Sequence, residues 1–339
     1  MLCLKVPKQE GEKVRNKLLE RNLLSKEAKI ASEGSYLLIP VKEDPGSEFD
    51  YPLLDRDLEI RERKETDYTK LIDMSDELKD ELPSSYEIIG DIAIIKIPES
   101  LKSYKNEIGS AILKAHKNVK TVLEDKGVTG EYRVREVSNI AGIKKTKTIH
   151  TEYGTEFEVD VSRAYFSPRL ATERWRVVEQ VEDQEEIFDM FAGVGPYSIL
   201  IAKNKDVNKI HSVDINPEAS KLLKNNIKRN KVEKKVIPYH ADARDISPKL
   251  EVDRVIMNLP HSSKEFINSA IESLKDEAVI NYYEIIEEDE IEQSKNEIMD
   301  KIESHGLKVE MIKSKTVRTY SATMVHTAYD IKVKRIHSS

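Results

Sequence analysis

From about Tyr165 onward, short apolar runs rich in β-branched residues alternate with amphipathic stretches of helical spacing. EEIFDMF is followed by PYSILIAKN, KIHSVDI by PEASKLLKNNIKRN, KVIPYHAD and DRVIMNLP by KEFINSAIESLK, and AVINYYEI by a long helical segment. Strands that recur with a helix between them pair in parallel and carry those helices on the faces of the sheet. The rhythm predicts an α/β fold with a Rossmann-like domain over residues 161–339, whose ligand crevice lies at the carboxyl ends of its strands.

At 339 residues the chain exceeds the span of one ordinary domain, so further units are expected before that one. Residues 1–45 read as strand LCLKV, a helix within GEKVRNKLLERNLL, and strands around KIASE and SYLLIPV, a small α/β module. Residues 46–82 are rich in Asp, Glu, Pro and Ser and read as a charged linker. Over residues 83–160, a hairpin in YEIIGDIAIIKIP, a helix through SYKNEIGSAILKAHKN and strand-like TVLED, EYRVREV, TKTIHTE and EFEVDVS form a second small α/β domain.

Formal net charge is -7, which by itself argues against a polyanionic partner. The distribution points the other way: residues 41–100 hold 8 basic and 18 acidic side chains, and residues 101–150 hold 11 basic and 5 acidic. Either the basic stretch faces nucleic acid, or Lys102, Lys105, Lys114, Lys117 and Lys120 solvate helix faces. Cys3 is the only cysteine and no histidine pair has ligand spacing, so neither a disulfide nor a metal site is expected. No apolar run reaches the roughly 18 residues of a membrane span, and a cytoplasmic protein is expected.

The segment DMFAGVGPYSI puts D-x-F-x-G-x-G where a strand ends and a helix begins. Gly193 and Gly195 let the backbone pass close to a ligand, although a plain strand-turn-helix corner accounts for them equally well. Asp214 ends the next strand, 19 residues beyond Gly195, where a carboxylate grips ribose hydroxyls. A dinucleotide site normally has a third glycine three residues after the second; here that residue is Ser198, so an adenosyl ligand without phosphates fits better. Asp242 follows the third strand, at the distance where an acceptor meets an adenine amino group, and its neighbour Asp245 equally suits a helix cap. Asn258, Leu259 and Pro260 form a loop at the carboxyl edge of the fourth strand.

With GEYRVREVSNIAG, VDVSRAYFSPRLATERWRV, DMFAGVGPYSI, VDINPEA and MNLP together, the sequence resembles the archaeal and eukaryotic tRNA guanine-37 N1-methyltransferase family, from about Tyr86 through the C-terminal half. The first forty residues also resemble the elbow-recognising module of its archaeal members. The resemblance implies a class I methyltransferase that uses S-adenosyl-L-methionine, and a tRNA partner held at its anticodon loop and outer corner. Guanine N1 is protonated at neutral pH, so a general base is required, and the resemblance assigns it to Glu173. Charge that develops on O6 is assigned to Arg133. Tyr165, Arg174, Phe191, Gly193, Gly195, Asp214, Ile215, Asp242, Ala243 and Asn258 are implied at the cofactor, and Asn258, Pro260 and Arg169 at the base.

Other roles remain open for several of these residues. Glu173 beside Arg174 and Arg176 suits a helix surface, Arg133 or Arg135 suits a pair with Glu131 or a phosphate, and the Lys-rich helix LLKNNIKRNKVEKK suits either phosphate contact or plain solvation. His261 after Asn-Leu-Pro departs from the aromatic that follows Asn-Pro-Pro in related nucleic-acid methyltransferases, and leaves open a wyosine intermediate as a second substrate. The competing functions are the aminocarboxypropyl transferase of wyosine synthesis, a non-catalytic tRNA-binding protein and a nicotinamide oxidoreductase. A monomer is expected.

Overall fold

The computed structural model describes residues 1–25, 27–60, 66–130, 132 and 134–336, and divides into a unit over Met1–Lys70 and another over Leu71–Ser339. In the first, β1 (Leu2–Pro7) is followed by α1 (Gly11–Glu20), β2 (Ala31–Glu33), β3 (Tyr36–Pro40) and β4 (Leu53–Asp55), and the antiparallel sheet runs β2-β3-β1-β4. Helix α1 turns Val14 and Leu18 onto Leu4, Val6, Ile39 and Phe49. A Cβ on Gly11 would meet Leu37 Cδ1 at 2.3 Å, so the helix start lies close against β3. The stretch expected as a linker from residue 46 instead supplies β4 and the buried Phe49 and Leu58. Its apolar residues are spaced among acidic ones, so average composition hides a strand whose one face is covered.

In the second unit, after the short α2 (Asp76–Lys79), the hairpin β5 (Glu87–Ile89) and β6 (Ile92–Ile95) is followed by α3 (Lys105–Ala115), β7 (Thr121–Thr129) and β8 (Val134–Gly142), with sheet order β5-β6-β7-β8. Lys102 and Lys105, both in the basic stretch, reach the buried Glu124 of β7 at 2.5 and 3.7 Å. Those two lysines are therefore committed to an internal carboxylate. A second hairpin, β9 (Lys147–Glu152) and β10 (Thr155–Asp160), leads to α4 (Ala171–Gln180).

The last part of the chain contributes β11 (Glu186–Asp189), α5 (Pro196–Asn204), β12 (Lys209–Asp214), α6 (Pro217–Arg229), β13 (Val236–His240), α7 (Ala243–Ile246), β14 (Val252–Met257), α8 (Ser263–Glu272), β15 (Leu274–Glu287), α9 (Ile291–Glu303), β16 (Leu307–Thr319) and β17 (Met324–Arg335). The sheet order is β13-β12-β11-β14-β15-β17-β16, parallel from β13 to β15, with β17 antiparallel to both neighbours. Strand residues alternate between two cores. Ile187, Ile210, Ile256 and Tyr283 join α4, α5 and α6, while Phe188, Val213, Val255 and Tyr282 join α8 and α9. Strand order reverses between β11 and β14, which opens a crevice at their carboxyl ends. Among the described residues no helix is long and apolar enough to cross a membrane.

Candidate active site

Beyond β11 the chain turns through Ala192–Gly195 into α5. Gly193 has φ +56° and donates its N–H to Asp214 Oδ2 at 2.7 Å, while Asn216 N donates to Oδ1 at 2.8 Å. Two backbone amides thus fix the Asp214 carboxylate at the end of β12. Desolvation raises its pKa, against those two hydrogen bonds. Each oxygen retains a lone pair for a hydroxyl donor, as a ribose clamp requires.

A cavity of about 460 Å³ opens there. Phe191, Gly193, Asp214 and Ile215 line it, as do Asp242 and Ala243 after β13. Asn258, Leu259 and Pro260, after β14, and Tyr165, from the loop before α4, line it too. Phe191 packs edge-on against Phe266 at 4.9 Å, and Arg244 lies 4.9 Å above the Phe266 ring. The lining combines apolar and aromatic side chains with fixed acceptors, which suits an adenosyl group. Asn258 Oδ1 is buried with no partner among the described residues, so it is an acceptor suited to a ligand donor.

Nine of the residues singled out in the sequence meet on this wall: Tyr165, Phe191, Gly193, Asp214, Ile215, Asp242, Ala243, Asn258 and Pro260. Asp242 itself caps α7, accepting from Arg244 N at 2.9 Å and from its guanidinium; this pair lowers the Asp242 pKa, and Asp245 lies within the helix. Gly195 is off the wall. It holds φ +88° as the N-cap of α5, and a Cβ there would meet Leu223 Cδ1 at 2.5 Å and Ile199 Cδ1 at 2.8 Å, so helix packing and the turn require this glycine.

Three charged residues also lie off the wall. Arg174, 2% exposed, donates to Glu152 at 2.9 and 2.5 Å and to Ser167 O at 3.0 Å, a structural role under Phe166. Arg169 pairs at 3.1 Å with Glu87, which does line the cavity and also holds Arg135. Glu173, 4% exposed, receives Arg176 Nε at 2.8 Å, Arg176 NH2 at 2.6 Å and the Tyr283 hydroxyl at 2.8 Å. Arg133 lies outside the described residues. Arg318, Tyr320 and His326 of the β16–β17 hairpin also line the cavity, although nothing in the sequence singles them out. No local motif marks them, because antiparallel pairing with β15 brings them in from beyond residue 315.

Residues 148–312 match the TRM5/TYW2 methyltransferase domain, residues 70–146 the TYW2 N-terminal domain and residues 3–50 the tRNA methyltransferase 5 N-terminal domain. The chain is 44% identical over 334 residues to tRNA (guanine(37)-N(1))-methyltransferase Trm5b of Pyrococcus abyssi, covering 98% of this chain and 99% of the relative. A crystal structure of that organism's wild-type Trm5b matches with a TM-score of 0.75 at 43% identity, over 98% of this chain and 99% of that one. A complex of an aTrm5 with tRNALeu matches with a TM-score of 0.70 at 35% identity, over 98% and 99%. A Methanocaldococcus jannaschii aminocarboxypropyltransferase acting on tRNA(Phe) 4-demethylwyosine is 34% identical over 74% of this chain and 98% of its own.

Proposed function

The chain belongs to the TRM5/TYW2 methyltransferase family, and we infer from this and from its cavity that it transfers a methyl group from S-adenosyl-L-methionine to N1 of guanosine 37 in tRNA. The observation that carries the reading is the Asp214 carboxylate, fixed by two backbone amides in a cavity that Asn258, Leu259 and Pro260 also line. S-adenosyl-L-methionine supplies a methyl group on a sulfonium, open to in-line attack by a nucleophilic nitrogen. In this reading Asp214 binds the ribose hydroxyls, Ile215 and Ala243 sandwich the adenine, Asp242 accepts its amino group, and Asn258 orients the target base against Pro260.

N1 becomes nucleophilic only when its proton leaves, and we assign that proton to Glu173. What supports this is its place in the first turn of α4, one helical turn after Leu170, which lines the cavity. Its carboxylate must turn from Arg176 toward the base when tRNA binds, and Tyr283 is the donor that stays with it. Arg133 is assigned to O6. Residues 1–45 are assigned to tRNA shape, the basic residues of 101–150 and of α6 to phosphates, with the protein acting as a cytoplasmic monomer.

Incubation with labelled donor and transcripts carrying guanosine or adenosine at position 37 tests the function. Label should enter only the guanosine transcript, from the methyl position of the donor. No transfer to guanosine would reject this function, and transfer of the donor's aminocarboxypropyl arm to tRNA carrying 4-demethylwyosine at position 37, the substrate named for the sister enzyme, would establish the sister reaction.

A further inference from the structure

The cavity that Asp214 lines also holds polar groups that no atom among the described residues satisfies. His326, on β17, is 2% exposed, and neither ring nitrogen has a hydrogen-bond partner there. Its cross-strand neighbour Arg318, on β16, has a buried Nε that is likewise unpartnered. Asn258 Oδ1, on the separate loop after β14, and Ser167 Oγ, before α4, are unpartnered too, and all four residues line the same cavity. Buried polar groups are nearly always paired, because leaving one unmatched costs its whole desolvation. Four such residues in one cavity, from four chain segments, mark a place where a ligand supplies the partners.

The chemistry of that ligand follows from the wall. Burial, with the neighbouring Arg318 and His261 charges, depresses the His326 pKa to about 4, so the imidazole is neutral and offers one donor and one acceptor. Arg318 adds a cationic donor. His261 and Tyr320 stand edge-to-face at 5.7 Å beside them, and Tyr165 and Tyr132 also line the cavity, so the partner is a flat aromatic ring with donors and acceptors on its rim. The donor's adenosyl end is accounted for at Asp214 and Asp242. Its methionyl end carries no aromatic ring, so the flat partner that this lining suits is the extruded purine.

We propose that the β16–β17 hairpin reads the target guanine, with the His326 imidazole and the Arg318 guanidinium hydrogen-bonding its polar edge and so setting which base is methylated. This rests on the methyltransferase reading above. Tyr283, whose ring packs edge-on against His326 at 5.8 Å and whose hydroxyl donates to Glu173, joins the base-reading wall to the assigned base through two contacts.

The test uses the full chain and single-turnover methyl transfer to guanosine-37 transcripts, with His326→Phe, His326→Asn and Arg318→Leu beside the wild type. His326→Phe keeps a ring against Tyr283 and deletes both unmatched nitrogens, so the ligand-free protein should melt no lower than wild type. Methyl transfer should nevertheless fall about 10- to 100-fold, with S-adenosyl-L-methionine affinity within about twofold. His326→Asn, which keeps a donor and an acceptor, should recover part of the loss, and Arg318→Leu should lose a similar factor. Transfer within about twofold of wild type in both His326→Phe and Arg318→Leu overturns the proposal while leaving the methyltransferase reading intact. If His326→Phe melts far lower, the imidazole is structural, and Arg318→Leu alone decides whether the hairpin reads the base. A wild type that methylates no guanosine 37 ends the functional reading and this inference together.

Discussion

Asp189, in the first half of the glycine motif, is fully buried with the Ser198 hydroxyl donating to it at 2.6 Å, and burial pushes its pKa up to about 7. Between about pH 4 and 7 the unfolded chain has released this proton and the native chain retains it, so folding stability falls as pH rises through that window. Asp189→Asn is expected to flatten that part of a melting-temperature profile; an unchanged slope would place the native titration elsewhere. In the proposed reading Asp214→Ala removes the ribose acceptor, a charged hydrogen-bond site. It should weaken S-adenosyl-L-methionine binding about tenfold or more in calorimetry, with little change in tRNA affinity. That Asp214 and Asp242 would line the crevice was legible because each follows a strand end, where the doubly wound fold opens its crevice. Arg174 was not: the pattern that put it near the cofactor says nothing of Glu152, 22 residues earlier, whose buried carboxylate holds it away.

The turn from β11 into α5 shows how an element constrains a site. Gly195 starts α5 with φ +88°, and any side chain there would press on Leu223 of α6 and Ile199 of α5. Gly195→Ala should therefore cost about 1–3 kcal/mol in denaturant unfolding, whereas Gly193→Ala, whose Cβ meets only Tyr165 O at 3.7 Å, carries the strain of φ +56° alone and should chiefly affect donor binding. Equal effects of the two substitutions on stability would contradict this division. The parallel strands and their helices were legible from periodicity because both faces of the sheet are covered. Strand β4 was not, since Leu53 and Leu54 lie in an acidic stretch and gain their setting from pairing with β1, about fifty residues earlier. The hairpin β16–β17 escaped for the same reason: only the register against β15 reveals that His326 stands opposite Ile285, and both line the cavity.

At the scale of the whole molecule the charge is unevenly spread, and part of the basic excess is internal. Lys102 and Lys105 are held by Glu124, and Lys145 by Asp91 at 2.6 Å, so fewer cations are available to phosphates than the sequence count of residues 101–150 suggests. Affinity for tRNA should still fall with salt, with a slope set by the cations that remain. The first unit has its own sheet and core, and the assignment of tRNA shape to it carries a distinct expectation. Removing residues 1–70 should leave S-adenosyl-L-methionine affinity within about twofold and weaken full-length tRNA far more than an isolated anticodon stem-loop, as competition binding would report. Equal losses on the two RNAs would take shape recognition away from that unit. The most direct measurement is nuclease digestion and mass spectrometry of a guanosine-37 transcript after reaction with wild type and with Glu173→Ala. N1-methylguanosine at position 37 from the wild type, reduced by about 100-fold or more in the variant, is the expected result. Methyl at another atom or position contradicts the account, and an undiminished product from the variant contradicts its base.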